Sequence, residues 1–218
     1  EKAIHFAFEK RPGPVWIDIP FDIQSNLIDE KKLRSFKPKV KLNKIYKNSS
    51  QILNVLKHIS QSSKPVIIFG QAIRSSGSIN VFKKVINTLK IPAISARMGI
   101  DIFKHNEKFF YGMGGIRGLI YSHKILKQSD LLVVIGSSYT HSFAGDNYDL
   151  SSKKKLIIVN IDNTEISKPN LKPSLKINAD VRMFLSSLLE KSKKQKLKKF
   201  QNWISLCNKI KTEHPIIS

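Results

Sequence analysis

Three short runs of the sequence are apolar at almost every position, and they constrain the fold more than any other feature. They read PVIIFG (65–70), LLVVIG (131–136) and KLIIVNID (155–162). A strand with water on one face alternates apolar and polar residues, whereas a strand covered on both faces is apolar throughout. These runs therefore predict interior strands of a parallel sheet whose two faces are covered by helices.

The segments around these runs carry the helices that such a sheet requires. Apolar residues recur in them at helical spacing, and Asn48 or Ser49 is placed to cap the first helix. Two shorter strands, 92–95 and 175–178, extend the alternation. The predicted helices are 48–63, 78–90, 119–128 and one that begins near Asp180. We therefore predict a Rossmann-like α/β domain over residues 48–190, with a parallel sheet and helices on both faces.

The chain also contains an early strand that has no place in this sheet. RPGPVWIDIPFDIQ (11–24) predicts a strand at 15–19, and a charged segment without sustained periodicity, 25–47, separates it from the α/β domain. Because a strand needs neighbours, we interpret residues 1–24 as the end of a preceding domain and 25–47 as a linker. Residues 191–218 are predicted to be a helical linker.

The net charge of +22 raises the question of a nucleic-acid partner. Of the 38 basic residues only six are arginine, the residue that reads bases and phosphates with two parallel hydrogen bonds. No zinc-ligand spacing or aromatic ladder accompanies the lysines. The densest run, KSKKQKLKKF (191–200), is interpreted as the solvated face of a polar helix. We therefore expect no nucleic-acid partner.

Cysteine content and hydropathy indicate the compartment. The single cysteine, Cys207, cannot form an internal disulfide and is typical of a reducing environment. No apolar run reaches the roughly 20 residues of a membrane span, and the first residues show no secretory signal pattern. These features favour a cytoplasmic location without a membrane partner.

Several segments between residues 11 and 181 resemble one enzyme family. RPGPVWIDIPFDIQ resembles the segment that closes the first domain of thiamine-diphosphate-dependent enzymes of the acetolactate synthase (acetohydroxyacid synthase) group. Six further segments resemble the central domain of that group, in the same order and at similar spacing. They are KPVIIFGQAIRSSG, IPAISARMG, YGMGGIRG, SDLLVVIGSSY, VNIDNTEISKP and NADV. The resemblance implies that the chain is a fragment of a three-domain enzyme. Residues 1–24 would then end the pyrimidine-binding domain, and 191–218 would lead to the diphosphate-binding domain.

The resemblance also implies where catalysis takes place. Thiamine chemistry on a 2-keto acid needs a glutamate beside the pyrimidine ring and a GDG-plus-Asn motif that holds Mg²⁺. The family's glutamate precedes residue 1, and Gly145-Asp146-Asn147 matches the metal motif only in part, so we interpret it as a polar turn. We therefore expect no catalytic residue and no metal ligand in this chain, and no activity of the chain alone. The full-length enzyme is expected to use thiamine diphosphate and Mg²⁺, to act on a 2-keto acid, and to form a homo-oligomer (dimer or tetramer).

The central domain is itself predicted to bind a nucleotide. Ligands of such sheets lie at the carboxyl ends of the strands, where glycines let backbone N–H groups approach phosphate. The resemblance implies FAD in the acetolactate synthase group, ADP in oxalyl-CoA decarboxylase-like relatives, and an empty site in others. The phosphates are expected over 112–115 and 136–138, and the adenosine end near Asp162 and Glu165. The residues predicted to contact the nucleotide are Gly70, Gln71, Ala72, Ala96, Arg97, Met98, Gly112, Met113, Gly114, Gly115, Gly136, Ser137, Ser138, Asp162, Glu165, Ile166, Asp180 and Val181.

The sequence departs from the family's pattern at this site. Of the family's triple-glycine turn only Gly70 is kept, and the flavin-containing enzymes usually carry histidine at the position of Gly114 and arginine at that of Ser138. The absent arginine removes a strong anion partner, which Arg74 or Arg97 would have to replace. The alternative interpretation is that the glycines only form tight strand-to-helix turns. An empty site is as compatible with the sequence as an occupied one.

Three functional hypotheses follow. The chain belongs to an acetolactate synthase-like enzyme, to another thiamine enzyme of the same architecture (a decarboxylase, an aldehyde lyase or a ring-cleaving hydrolase), or to a free-standing nucleotide-binding module. The unpaired strand at 15–19 argues against the third. The first two differ in the substrate pocket of a domain outside this chain.

Overall fold

Six strands form one sheet in which every pair of neighbours is parallel. The computed structural model describes residues 1–9, 11–38, 49–139, 143, 154–169 and 171–216. The strands are β1 (Pro65–Phe69), β2 (Ala93–Ser95), β3 (Phe110–Met113), β4 (Leu131–Ile135), β5 (Lys155–Asn160) and β6 (Leu175–Asn178). Their order across the sheet is β3-β2-β1-β4-β5-β6. The predicted parallel sheet is confirmed, and the apolar runs form its centre.

Helices cover both faces of this sheet, as predicted. The α-helices of the described residues are α1 (Lys2–Phe8), α2 (Phe21–Gln24), α3 (Ser49–Gln61), α4 (Ala72–Ser75), α5 (Ile79–Leu89), α6 (Ile120–Gln128), α7 (Asn163–Ile166), α8 (Val181–Lys193) and α9 (Gln201–Glu213). The chain crosses from β1 to β2 in one direction and from β3 to β4 in the other, so right-handed crossovers place α5 and α6 on opposite faces. Helices α3 and α5 pack with α8, and α9 packs with α6. Within the described ranges no helix combines the length and the apolar character that crossing a membrane requires.

Burial explains why the central runs are apolar throughout. All five residues of β1 and all five of β4 are buried. On α3, Ile52, Val55 and Ile59 are buried and recur along one helical face. Burying one such side chain contributes roughly 1.5–3 kcal/mol relative to leaving it exposed. The sheet and its helices therefore share one hydrophobic core.

The sheet has one strand more than the sequence predicts. We predict a loop over 111–118, but its first three residues belong to β3, which pairs with β2 through Ala93–Phe110 and Ser95–Met113. The register shifts between these two pairs, as it does at a β-bulge. Four residues that include a glycine carry too little pattern to predict a strand, and the open edge of β2 decides their conformation. The loop prediction is wrong for 111–113 and confirmed for the residues after them.

The lysine-rich run 191–200 is not one continuous polar helix. Helix α8 ends at Lys193, and no helix covers the residues from there to Phe200. The side chain of Phe200 is buried, and Nζ of Lys198 donates to the carbonyl oxygen of Ser62 at 2.6 Å. These contacts hold the segment before α9 against the α/β domain, and α9 itself packs with α6. The prediction of a helix is therefore wrong beyond Lys193, whereas the lysines from there to Lys199 are exposed, as predicted.

Residues 1–44 and residues 45–218 form two separate compact units. In the first unit, 15–19 pair with no strand of the described residues, and the side chain of Trp16 is 92% exposed. A strand acquires its hydrogen bonds only from a neighbouring strand. The predicted strand is therefore not formed here, because the described residues provide no such neighbour.

The segment predicted as a linker, 25–47, contains little regular structure in its described part. A single 3₁₀ turn at Glu30–Lys32 interrupts it. Residues 39–48, including the proposed cap Asn48, lie outside the described residues. The assignment of these segments to parts of a larger enzyme stays a prediction.

Asp130 joins two connections at the edge of the sheet where the strands begin, which we call the amino edge. Its carboxylate accepts hydrogen bonds from the hydroxyl of Ser62, from the N–H of Ser63 at 2.7 Å and from the N–H of Lys64 at 3.0 Å. Burial acts to raise the pKa of Asp130, but the hydrogen bonds from Ser62, Ser63 and Lys64 outweigh it and lower the pKa below its ordinary value. The ionised carboxylate therefore stabilises the entry into β1.

Replacing Asp130 with asparagine should lower stability at neutral pH and change its pH dependence. Because the folded pKa of this carboxyl is depressed, its contribution is fully present above the unfolded pKa of about 3.9 and is lost as the pH falls through the folded value. We expect a cost of about 1–2 kcal/mol near pH 7 that shrinks toward about pH 3. Urea denaturation at both pH values measures it, and a loss independent of pH would contradict the assignment.

Candidate functional site

The strands all end at one edge of the sheet, which we call the carboxyl edge. Because the strands are parallel, the residues that follow them lie side by side. In chain order these residues are Gly70, Ala96, Gly114, Gly136, Ile161 and Ala179. The predicted nucleotide contacts all lie in the strand ends or in the short segments after them. The structure therefore brings them to one edge.

Gly70 and Gly136 lie against each other at the centre of this edge. A Cβ atom on Gly70 would lie 2.6 Å from the carbonyl oxygen of Gly136 and 2.7 Å from Cβ of Ser137. The N–H of Gly70 donates to the carbonyl oxygen of Ile135 at 3.2 Å. Gly70 is thus required for the close approach of the turns after β1 and β4. Gln71, the next residue, is exposed.

Gly136 packs against the beginnings of α4 and α8. Its φ is +59°, a left-handed conformation that favours glycine. A Cβ atom here would lie 2.6 Å from Cβ of Ala72 and 2.9 Å from Cγ2 of Val181. Its N–H donates to the carbonyl oxygen of Val159 at 2.9 Å. Three predicted contacts, Ala72, Gly136 and Val181, are therefore neighbours of one another.

The loop after β3 is held by its own hydrogen bonds. The N–H of Gly114 donates to the carbonyl oxygen of Ser95 at 3.0 Å, and that of Gly118 donates to the carbonyl oxygen of Gly115 at 2.6 Å. Gly114 and Gly115 are buried, and Met113 before them is half-buried. The loop therefore forms a closed turn against the end of β2.

Side chains of the domain fill the space beside two glycines of this segment. A Cβ atom on Gly112 would lie 2.5 Å from Cδ1 of Leu119 and 2.7 Å from the hydroxyl oxygen of Tyr121. One on Gly114 would lie 2.8 Å from Cζ of Phe143. Sequence reasoning missed Phe143, and its only signal is an aromatic residue in the polar segment after β4. Packing explains both glycines.

The two arginines considered as anion partners differ in their surroundings. Arg74 forms an ion pair with Asp101, and its Nη2 donates to the carbonyl oxygen of Met98 at 3.3 Å. Arg97 is exposed, and its side chain has no partner among the described residues. The N–H of Ala96 donates to the carbonyl oxygen of Phe69 at 2.7 Å. Of the two arginines, Arg97 is the one that is not already paired.

The predicted carboxylates cap helices or form ion pairs. Oδ1 of Asp162 accepts from the N–H of Thr164 at 2.9 Å and from its hydroxyl at 2.6 Å, at the start of α7. Glu165 lies 2.5 Å from Nζ of Lys168. Oδ1 of Asp180 accepts from a backbone N–H in the first turn of α8 at 3.1 Å. Capping of this kind satisfies helix N–H groups and explains both aspartates.

Asn160 is a further polar residue of this edge that sequence reasoning missed. Its Nδ2 donates to the carbonyl oxygen of Ser137 at 3.4 Å, and its Oδ1 accepts from the N–H of Asp162 at 3.0 Å. Asn160, Ser137 and Ile166 are buried, while Ser138 is half-buried. The signal in the sequence is an amide at the end of an otherwise apolar strand. Asn160 connects the turns after β4 and β5.

The described residues of this edge offer little for acid–base or metal chemistry. Burial raises the pKa of Tyr121 to about 12, so its hydroxyl is protonated at neutral pH. The part of the chain that the structure describes contains no group of three or more His, Cys, Asp or Glu side chains able to hold a metal ion. The turn Gly145-Asp146-Asn147 lies outside the described residues.

Two grooves lie away from the predicted contacts, at the amino edge. Their volumes are about 300 and 490 Å³, and both are lined by Lys198 and Phe200. The first runs along α3, and the second is also lined by Lys64 and Trp203. No predicted nucleotide contact lines either groove.

The family of the thiamine pyrophosphate enzyme central domain matches residues 52–188. The chain belongs to this family. The matched residues include all six strands and the helices from α4 to α7, with most of α3 and α8. The family thus coincides with the parallel sheet and its covering helices.

Curated relatives of this chain are acetolactate synthases. The chain is 30% identical over 221 residues to acetolactate synthase 1, chloroplastic, of Nicotiana tabacum. This alignment covers 99% of the chain and 32% of the relative. The chain is 28% identical over 223 residues to the acetolactate synthase large subunit of Cyanidium caldarium, covering 99% and 38%. It is 29% identical over 220 residues to the large subunit of Corynebacterium glutamicum, covering 98% and 34%. The chain therefore spans about a third of the length of the relatives it matches.

Proposed function

We propose that this chain is the central part of a thiamine-diphosphate-dependent transferase or lyase that resembles acetolactate synthase and acts on 2-keto acids. The observation that carries the proposal is the similarity to acetolactate synthases, which extends over 98–99% of the chain in the relatives named above. The similarity includes residues on both sides of the family match at 52–188. It thus concerns more than a shared Rossmann-like sheet.

In this proposal the chain supplies a scaffold and leaves the chemistry to the parts of the enzyme that flank it. Thiamine diphosphate, when bound with Mg²⁺, supplies the carbanion that attacks the 2-keto acid. The described residues of this chain do not fit that pair, since they include no group of side chains able to hold a metal ion. Their role is to keep the six-stranded sheet rigid between the flanking parts.

Assembly and location complete the proposal. The full-length enzyme is expected to be a homo-oligomer (dimer or tetramer), and the similarity to acetolactate synthases supports this expectation. A cytoplasmic location stays a prediction, and the tobacco relatives are named chloroplastic. The same holds for the absence of a nucleic-acid partner and a membrane partner.

The 218-residue chain should show no acetolactate formation from pyruvate, thiamine diphosphate and Mg²⁺. Without the glutamate and the metal motif the protein gives no assistance to the formation of the thiamine carbanion, so the barrier stays close to that in solution. The complete polypeptide encoded with this segment should form acetolactate and should lose activity when either cofactor is removed. Turnover by the purified chain would contradict the scaffold role. Turnover of another 2-keto acid by the complete protein, without acetolactate, would favour a related thiamine enzyme.

A further inference from the structure

Atoms of this chain lie against the glycines of the carboxyl edge, and we propose that the edge belongs to the packed core and binds neither FAD nor ADP. This inference deepens the proposed function, since it concerns the role of the central domain within a thiamine enzyme. It assigns the glycines of the edge to contacts between turns. It also implies that the domain folds without a nucleotide.

Protein atoms lie beside the glycines of this edge, where a phosphate would need room. A glycine that makes room for phosphate leaves its Cβ direction open toward the ligand. Here that direction meets protein atoms within 3 Å at four positions, which lie at the ends of β1, β3 and β4. The four positions are Gly70, Gly112, Gly114 and Gly136. Contacts within the chain therefore explain each glycine whether or not a ligand is present.

Three backbone N–H groups of this edge already have acceptors in the protein. Phosphate at such an edge is bound by N–H groups that lack a partner in the protein. The N–H groups of Gly70, Gly114 and Gly136 instead donate to carbonyl oxygens at 3.2, 3.0 and 2.9 Å. An anion would have to displace hydrogen bonds that already satisfy these groups.

Two buried aromatic rings lie near the loop after β3. Phe143 and Tyr139 are 6% and 2% exposed, and their ring centroids lie 5.8 Å apart. The ring of Phe143 fills the space beside Gly114, together with Ile94 and Leu126, whose methyl carbons would each lie 3.1 Å from a Cβ at that glycine. This apolar packing occupies part of the region where the phosphates are expected. A ligand would have to remove Phe143 from the core.

The carboxylates expected to meet the adenosine end are also engaged. Asp162 and Asp180 cap α7 and α8, and Glu165 pairs with Lys168. A ribose hydroxyl would compete with the helix N–H groups that these carboxylates already cap. The predicted ends of the nucleotide site are therefore occupied by the same kind of internal contact as its centre.

Titration calorimetry of the 218-residue chain with FAD and with ADP tests the absence of binding. We expect no saturable heat with either ligand up to millimolar concentration, and no rise in the unfolding temperature. Saturable binding of either ligand with a micromolar dissociation constant would overturn the proposal. This outcome is independent of whether the complete enzyme makes acetolactate, so it separates this inference from the proposed function.

A double-mutant cycle tests whether Gly114 is required by Phe143. Gly114→Ala should lower the folding equilibrium constant, because the new methyl group meets the ring. In a Phe143→Ala background the factor by which the same substitution lowers the folding equilibrium constant should be at least tenfold smaller, because the ring is absent. Phe200→Ala serves as the matched control, because Phe200 is equally buried at 6% and lies at the amino edge.

The cycle has two readable outcomes. Relief of the Gly114→Ala cost by Phe143→Ala but not by Phe200→Ala supports the packing role. An equal cost in all three backgrounds, or no cost in any, would show that another partner explains the glycine and would overturn this assignment.

Discussion

Replacing Gly136 with alanine should destabilise the chain by about 3 kcal/mol, a large share of the stability of a domain of this kind. Two effects add. The backbone has φ +59°, where an L-residue costs roughly 1–2 kcal/mol. The added methyl group would also lie 2.6 Å from Cβ of Ala72 and 2.9 Å from Cγ2 of Val181, and relieving such a contact costs about 1–3 kcal/mol.

Gly77 provides a matched control for this substitution. Its φ is +66°, close to that of Gly136, but a Cβ atom on it would have no neighbour within 4 Å. Gly77→Ala should therefore show the conformational cost alone, about 1–2 kcal/mol. Urea denaturation of both variants measures the difference. Equal losses would mean that the packing at Gly136 relaxes without cost.

Replacing Trp203 with alanine should have an effect of similar or greater size, about 3–5 kcal/mol. The side chain is 3% exposed, its Nε1 donates to the carbonyl oxygen of Pro65 at 3.0 Å, and Nζ of Lys64 lies 5.7 Å from its ring. Truncation would leave a cavity at the amino edge and an unpaired buried carbonyl group. Helix α9 should then separate from the domain more easily.

The other tryptophan of the chain is the natural control. Trp16 is 92% exposed, so Trp16→Ala should change the stability of the 218-residue chain by no more than about 0.5 kcal/mol. Urea denaturation of both variants, followed by circular dichroism so that the signal does not depend on tryptophan, gives the comparison. A small loss from Trp203→Ala would show that α9 contributes little to the core.

The sequence by itself determined the central part of this fold. The runs at 65–69, 131–135 and 155–160 form parallel strands as predicted, because an unbroken apolar run has no stable place except between two covered faces. The helices were predictable for a similar reason, because their apolar residues recur every three or four positions and therefore lie on one face of each helix. These signals are local, and the tertiary structure only assembles what they specify.

The carboxyl edge was predictable as a place but not in its contacts. Parallel strands must end together, so the sequence located Gly70, Gly136 and Asp162 at one edge. It could not show that Gly136 faces Val181, or that Phe143 fills the space beside Gly114. Those pairs are far apart in the sequence, and no periodicity records which of them meet.

Tertiary structure alone decided the remaining features, each through a partner distant in sequence. β3 is a strand because β2 offers it an open edge, although its four residues are too few, with a glycine among them, to show a strand pattern. Trp16 and Trp203 are both tryptophans with apolar neighbours in the sequence, yet the side chain of Trp16 is exposed and that of Trp203 is buried. A side chain is buried only when other segments of the chain pack against it. A pattern of apolar residues shows which side chains favour burial, but it does not show which segments will pack on them.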